Sequence, residues 1–170
     1  MNGRVRPRTA ARWSIPDPTS MEPGFFQITL KVFLRRGDDF LVLRDRITQA
    51  GDLPGGRLSR SEFYGDWTAA IRRELREELG PDLACRLDEE PLFLFPHPIV
   101  SAGTDGLGVA YRATYRGGPV QLSEEHDAYE WVPIATYDPA GFFTEPMARA
   151  VRRYQRLVLS SDVAVPAGRL

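Results

Sequence analysis

LPGGRLSRSEFYGDWTAAIRRELREELGP, residues 53–81, joins a glycine turn to a strongly charged helical segment. Pro54-Gly55-Gly56 closes a loop over 49–56 where backbone can approach a ligand without side-chain hindrance. Asp66 is a plausible N-cap and Gly80-Pro81 a stop signal, which predicts a helix over 66–79. Within it Glu74, Glu77 and Glu78 stand at i, i+3 and i+4 and share one face. Ile71, Leu75 and Leu79 form the adjoining apolar flank, and Arg72, Arg73 and Arg76 take the rest.

Three like charges on one helical face cost on the order of a few tenths of a kcal/mol per pair even when exposed. Arginines or a hard cation would offset that, and carboxylate oxygens suit Mg²⁺ or Mn²⁺, which in turn grip phosphates. A solvated acidic face is the plainer reading of the triplet alone, and Arg73 and Glu77 do have ion-pair spacing. The upstream turn and a further acid, Glu62, shift the reading toward chemistry.

Working outward, 25–34 is rich in aromatic and β-branched residues and reads as a strand. A turn at Gly37-Asp38-Asp39 and a second strand over 40–43 complete a hairpin. Strands are also expected over 91–95, 108–115 and 129–133, and 103–108 reads as a glycine-rich loop. A second helix is expected over 144–157, capped by Thr144 and carrying Met147, Val151, Tyr154 and Leu157 at helical spacing. Strands, helix, strands, helix argue for an α/β fold with a mixed sheet covered by helices, not a bundle or an all-β barrel. The expected limits are an N-terminal extension over 1–22, one domain over 23–158 and a tail over 159–170.

Apolar residues at 42% and charged residues at 26% match an ordinary globular domain of this length. A formal net charge of −1 offers nothing to nucleic acid. Any polyanionic substrate would need local cations or bound metal. Lys31 is the only lysine in a chain otherwise rich in arginine. Cys85 is the only cysteine, which excludes an intrachain disulfide and makes a cytoplasmic home the default. With only His97 and His126 beside it, no zinc spacing arises. No apolar run approaches the roughly 20 residues that span a bilayer. Phe25, Phe26, Tyr64, Trp67 and Trp131 could stack on a base, although core or rim packing is the commoner role. His97, between two prolines, reads either as a substrate contact or as an idle loop residue.

The segment from Gly56 to Pro81 resembles the Nudix box: Gly56, Glu62, Arg73-Glu74-Leu75, Glu77-Glu78 and Gly80 occupy eight of its nine defined positions. Two features depart from it. Ten residues, not seven, separate Glu62 from Arg73, read here as a longer loop before the helix, and Pro81 replaces an aliphatic residue. Leu53-Pro54-Gly55, Ala69-Ala70 and the stretches 122–127 and 129–132 are similar to members as well. The resemblance implies a Nudix-type α/β/α sandwich. It also implies Mg²⁺-dependent pyrophosphohydrolase activity, with Mn²⁺ as a substitute, on a small nucleotide-like diphosphate such as an NDP-sugar, an ADP-ribose-like compound or a (d)NTP. Glu77 and Glu78 would be metal ligands, Glu74 a ligand or general base, and the Gly56 carbonyl would complete the shell. Gly55 and Gly56 would meet substrate. Arg73 would orient the carboxylates, paired with Glu62 or, given the longer spacing, with Asp66. Glu124 or Glu125, with Glu125 preferred, would add a later acid. A homodimer is the assembly it suggests. The alternative within the fold is a nucleotide-sensing domain that does not cleave. An isopentenyl diphosphate isomerase would want a catalytic cysteine where Cys85 does not lie, and an RNA-end hydrolase would want a basic groove.

Overall fold

A computed structural model describes residues 23–99 and 102–163. The extension expected over 1–22 lies outside the described residues, as does the end of the tail, 164–170. The elements in order are β1 (Gln27–Arg36), β2 (Asp39–Asp45), β3 (Gly51–Asp52), α1 (Arg60–Phe63), α2 (Trp67–Leu79), β4 (Ala84–Leu87), β5 (Phe93–Pro96), β6 (Gly106–Gly117), β7 (His126–Pro133) and α3 (Glu145–Val163).

Period-two alternation explains the layers. Along β1, Leu30, Val32 and Leu34 join the core under α2, whereas Phe33 joins the core under α3. A strand buried on both faces needs a helix on each side, and α2 and α3 supply them. Tyr154 of α3 stacks on Phe33 with centroids 4.1 Å apart, and Met147, Val151 and Val158 continue that buried stripe. Leu157, expected in the stripe, is exposed instead; the helix runs on to Val163, past the boundary expected near 157.

The sheet is mixed, with strand order β3-β2-β1-β6-β4, while β5 also pairs with β6 and β7 with β2. β1 and β2 form an antiparallel hairpin across Gly37, whose φ of 60° suits the tight turn. β1 then runs parallel to β6 from Gln27↔Gly106 to Arg35↔Thr114. That parallel seam leaves the other edge of β1 open over its first half. The glycine loop fills it: Leu30 N–H donates to Gly56 O and Val32 N–H to Pro54 O, both at 2.8 Å.

The extra residues between Glu62 and Arg73 are not an open loop. Glu62 itself sits in a single helical turn, α1, which a short connection over 64–66 joins to α2, and the turn is closed by a capping box: Ser59 Oγ accepts from Glu62 N–H, and the Glu62 carboxylate accepts from Ser59 N–H. Asp66 caps α2 through Thr68 N–H at 2.8 Å. Three short elements, β3, α1 and β4, escape a periodicity reading, because two to four residues are too few to show a period.

Candidate active site

The sequence of α2 turns its acids toward the glycine loop because Ile71, Leu75 and Leu79 must enter the core beneath β1. Glu78 is buried, at 5% exposure, and its Oε2 accepts from Gly55 N–H at 2.7 Å. Burial pushes its carboxyl up to about 7, against the pull of Lys31 and of the Gly55 N–H. Glu74 is half-buried and packs on Gly56; burial raises its pKa too, and Arg73 opposes the rise. Glu77 is more exposed, with 57% of its side chain in solvent.

Arg73 ties the acids together. Its Nε and Nη2 donate to Glu62 Oε1 at 3.0 and 2.7 Å, its Nη2 to Glu74 Oε1 at 2.8 Å and its Nη1 to Glu77 Oε2 at 2.6 Å. Glu62 is held down to about 2, chiefly by Ser59 N–H, then by the Ser59 hydroxyl and Arg73. The single turn of α1 thus brings Glu62 back to the arginine despite the longer spacing, and Asp66 is spent on its cap.

Both glycines are required, for different reasons. Gly55 has φ +126°, and a Cβ there would lie 2.1 Å from Leu30 O, so any side chain would break the strand contact. A Cβ on Gly56 would lie 2.2 Å from Glu74 Oε1, the far end of a flexible side chain. Gly56→Ala is therefore expected to unfold within a few degrees of the wild type while displacing Glu74. Turnover should fall by on the order of tenfold or more, since small misplacements of a catalytic group are costly. Unchanged kcat/KM in that variant would show that Glu74 needs no access to Gly56.

These residues open on a cleft of about 520 Å³, lined by Gly55, Gly56, Arg57, Glu74, Glu78 and Glu125 along one wall. Glu125 is the later acid that reaches the cleft, and its charge adds to the rise at Glu74. None of the five aromatics considered for stacking lines it: Phe25, Phe26 and Tyr64 are exposed, Trp67 rests against Phe63, and Trp131 lies under Arg36 at 4.2 Å.

A second polar group was hidden from a motif reading. Lys31, 5% exposed, donates to Asp52 at 2.8 Å, to Leu53 O at 3.1 Å and to Gly55 O at 3.3 Å, using its three protons. Burial opposes the charge on Lys31, but Asp52 and then Glu78 more than restore it. His126 is buried with Nε2 3.9 Å from Asp52 Oδ2, and its Nδ1 finds no hydrogen-bond partner among the described residues. Burial alone would keep that ring neutral; Asp52 and Glu78 outweigh it and raise its pKa. The one signal in the sequence was a lone lysine in an apolar strand, on the same face as Phe33.

A family model for the NUDIX domain matches residues 26–154. With this fold and this site, the chain belongs to the Nudix hydrolase family. No curated protein matches it by sequence. Among solved structures it is similar to the MutT protein from Methanosarcina mazei, at 19% identity and a TM-score of 0.64, covering 78% of this chain and 95% of that one. It is also similar to an ADP-ribose pyrophosphatase from Streptococcus suis (15% identity, TM-score 0.58, 78% and 91% covered). A third is an Ap4A hydrolase from C. elegans (20%, 0.59, 79% and 97%). At these identities the likeness is one of fold. Among the described residues, no helix is long and apolar enough to cross a membrane.

Proposed function

We propose that this chain is a Mg²⁺-dependent pyrophosphohydrolase that cleaves a phosphoanhydride bond in a nucleoside diphosphate-linked compound, an NDP-sugar, ADP-ribose-like molecule or (d)NTP. The observation that carries the reading is the pair Glu74 and Glu78, set in one cleft wall against Gly55 and Gly56.

The donors fit a hard divalent ion in kind. Glu74, Glu77, Glu78, Glu125 and the Gly56 carbonyl are all oxygen ligands, and the raised pKa values of Glu74 and Glu78 mark negative charge that burial leaves under-compensated. The Gly56 carbonyl accepts from Leu30 N–H, which leaves it a second lone pair. Among the described residues, no three His, Cys, Asp or Glu side chains already converge on one point, because Arg73 holds Glu74 and Glu77 while Gly55 holds Glu78. A bound Mg²⁺ would supply neutralisation of the phosphoryl oxygens and a more acidic water.

The chain's own residues do the rest. Glu74, half-buried in the cleft wall beside Glu78, is suited to take a proton from water, a role typically worth about 10²–10⁴-fold. Arg73 fixes the orientation of Glu74 from behind. Lys31 is committed to Asp52, whereas Arg57 bonds the neutral amide of Gln27 and keeps its charge for phosphate.

A nucleotide panel with products identified by mass tests the reading and locates the bond attacked. Turnover is expected with Mg²⁺, loss of it with excess EDTA, and recovery with Mn²⁺. Full turnover in chelator would exclude a metal-assisted reaction. Tight binding across the panel with no cleavage would establish a sensing domain instead.

A further inference from the structure

The wall of the cleft opposite the acids has a different chemistry. The glycine loop lies along one edge of β1, through Leu30 N–H to Gly56 O, whereas β6 occupies the other edge and β5 lies beyond it. His97 follows β5 directly and is pinned to β6, its N–H donating to Gly106 O at 2.9 Å. It therefore enters the cleft from the side away from Gly55 and Glu78. Thr29, buried at 2% exposure on β1, places its hydroxyl 2.7 Å from His97 Nδ1. That bond fixes the ring and leaves Nε2 as its remaining hydrogen-bonding atom. Phe95 backs the ring at 5.8 Å, and Pro98, Ile99 and, from α3, Met147 give the surrounding wall an apolar character.

Burial, and then the charge of Lys31, lower the His97 imidazole to about 4, so it is neutral at physiological pH. A neutral donor or acceptor set among apolar side chains is a poor phosphate site. It suits a flat, uncharged heterocycle with a hydrogen-bonding edge.

We infer that this wall receives the nucleobase of the substrate, with His97 as a specificity-determining residue and Thr29 as the residue that positions it. The inference rests on the nucleotide reading above and assigns the end of the cleft at which the base lies.

Binding without turnover tests it. The four ribonucleoside 5′-monophosphates and ribose 5-phosphate are titrated calorimetrically into the full chain. At least one nucleotide is expected to bind on the order of tenfold more tightly than ribose 5-phosphate, the scale of one or two well-made polar contacts. His97→Ala should erase that preference while ribose 5-phosphate binding moves by less than about twofold. His97→Gln, which keeps a polar group, should restore part of it, and Thr29→Val should fall between. If the wild type binds no nucleotide better than ribose 5-phosphate, or if His97→Ala weakens both alike, the inference is overturned. Base discrimination without phosphate release would leave this subsite standing and remove the hydrolytic reading. Release without discrimination would do the reverse.

Discussion

Glu78→Gln is expected to lower turnover by on the order of 10²-fold or more and, in chelator at pH 8, to raise the melting temperature. The amide oxygen can still accept from Gly55 N–H, so the loop keeps its bond. What goes is a buried negative charge. The wild-type carboxyl rises from 4.5 to about 7 on folding, because burial outweighs the attraction of Lys31. A group raised in this way favours the folded state fully below pH 4.5, and that contribution disappears as pH climbs through about 7. The span corresponds to about 3 kcal/mol at most. In EDTA the wild type should therefore lose stability between pH 5 and 8 more steeply than the variant. The two melting curves should approach each other near pH 5. Thermal denaturation at both pH values, paired with steady-state kinetics in Mg²⁺, checks both halves. A variant less stable than wild type at pH 8 would mean that Glu78 is a structural anion, and near-normal rates would remove it from the reaction.

Lys31→Met is the second large effect. The methionine fills the volume but strands the Asp52 carboxylate and leaves Leu53 O and Gly55 O without their donor. Breaking a pair of this kind costs about 3 kcal/mol. Burial pushes Asp52 up, yet Lys31, then His126, hold it well below the ordinary 3.8. A depressed carboxylate stabilises the fold above its unfolded pKa and loses that contribution as pH falls below it. The gap between wild type and Lys31→Met should accordingly be full at pH 7 and shrink below pH 4. Adding Asp52→Asn should recover more than half of the lost stability at pH 7, measured by urea denaturation. No recovery would mean that the lysine acts through its carbonyl bonds on the glycine loop and not through the ion pair.

The legible parts of the molecule were those written locally. Glu74, Glu77 and Glu78 could be placed on one helix face because a helix maps sequence spacing to direction with no outside help. The cap at Asp66, the stop at Gly80 and the hairpin at Gly37 are likewise set by residues a few positions apart. The ten-residue spacing from Glu62 to Arg73 was legible as a departure but not as α1, since one turn closed by Ser59 and Glu62 has no periodicity to display.

The opposite wall was not written in any single stretch. Thr29 and His97 are 68 positions apart and meet because β6 pairs with β1 on one edge and with β5 on the other, which brings His97, just past β5, within reach of Thr29 across that strand. Lys31 meets Asp52 because the glycine loop fills the open edge of β1. The acidic helix, its turn and the alternation of layers follow from residues a few positions apart, because those are short-range geometry. Which uncharged and oppositely charged groups face that helix across the cleft depends on the assembled sheet, because strand order and register are fixed by its packing as a whole between α2 and α3.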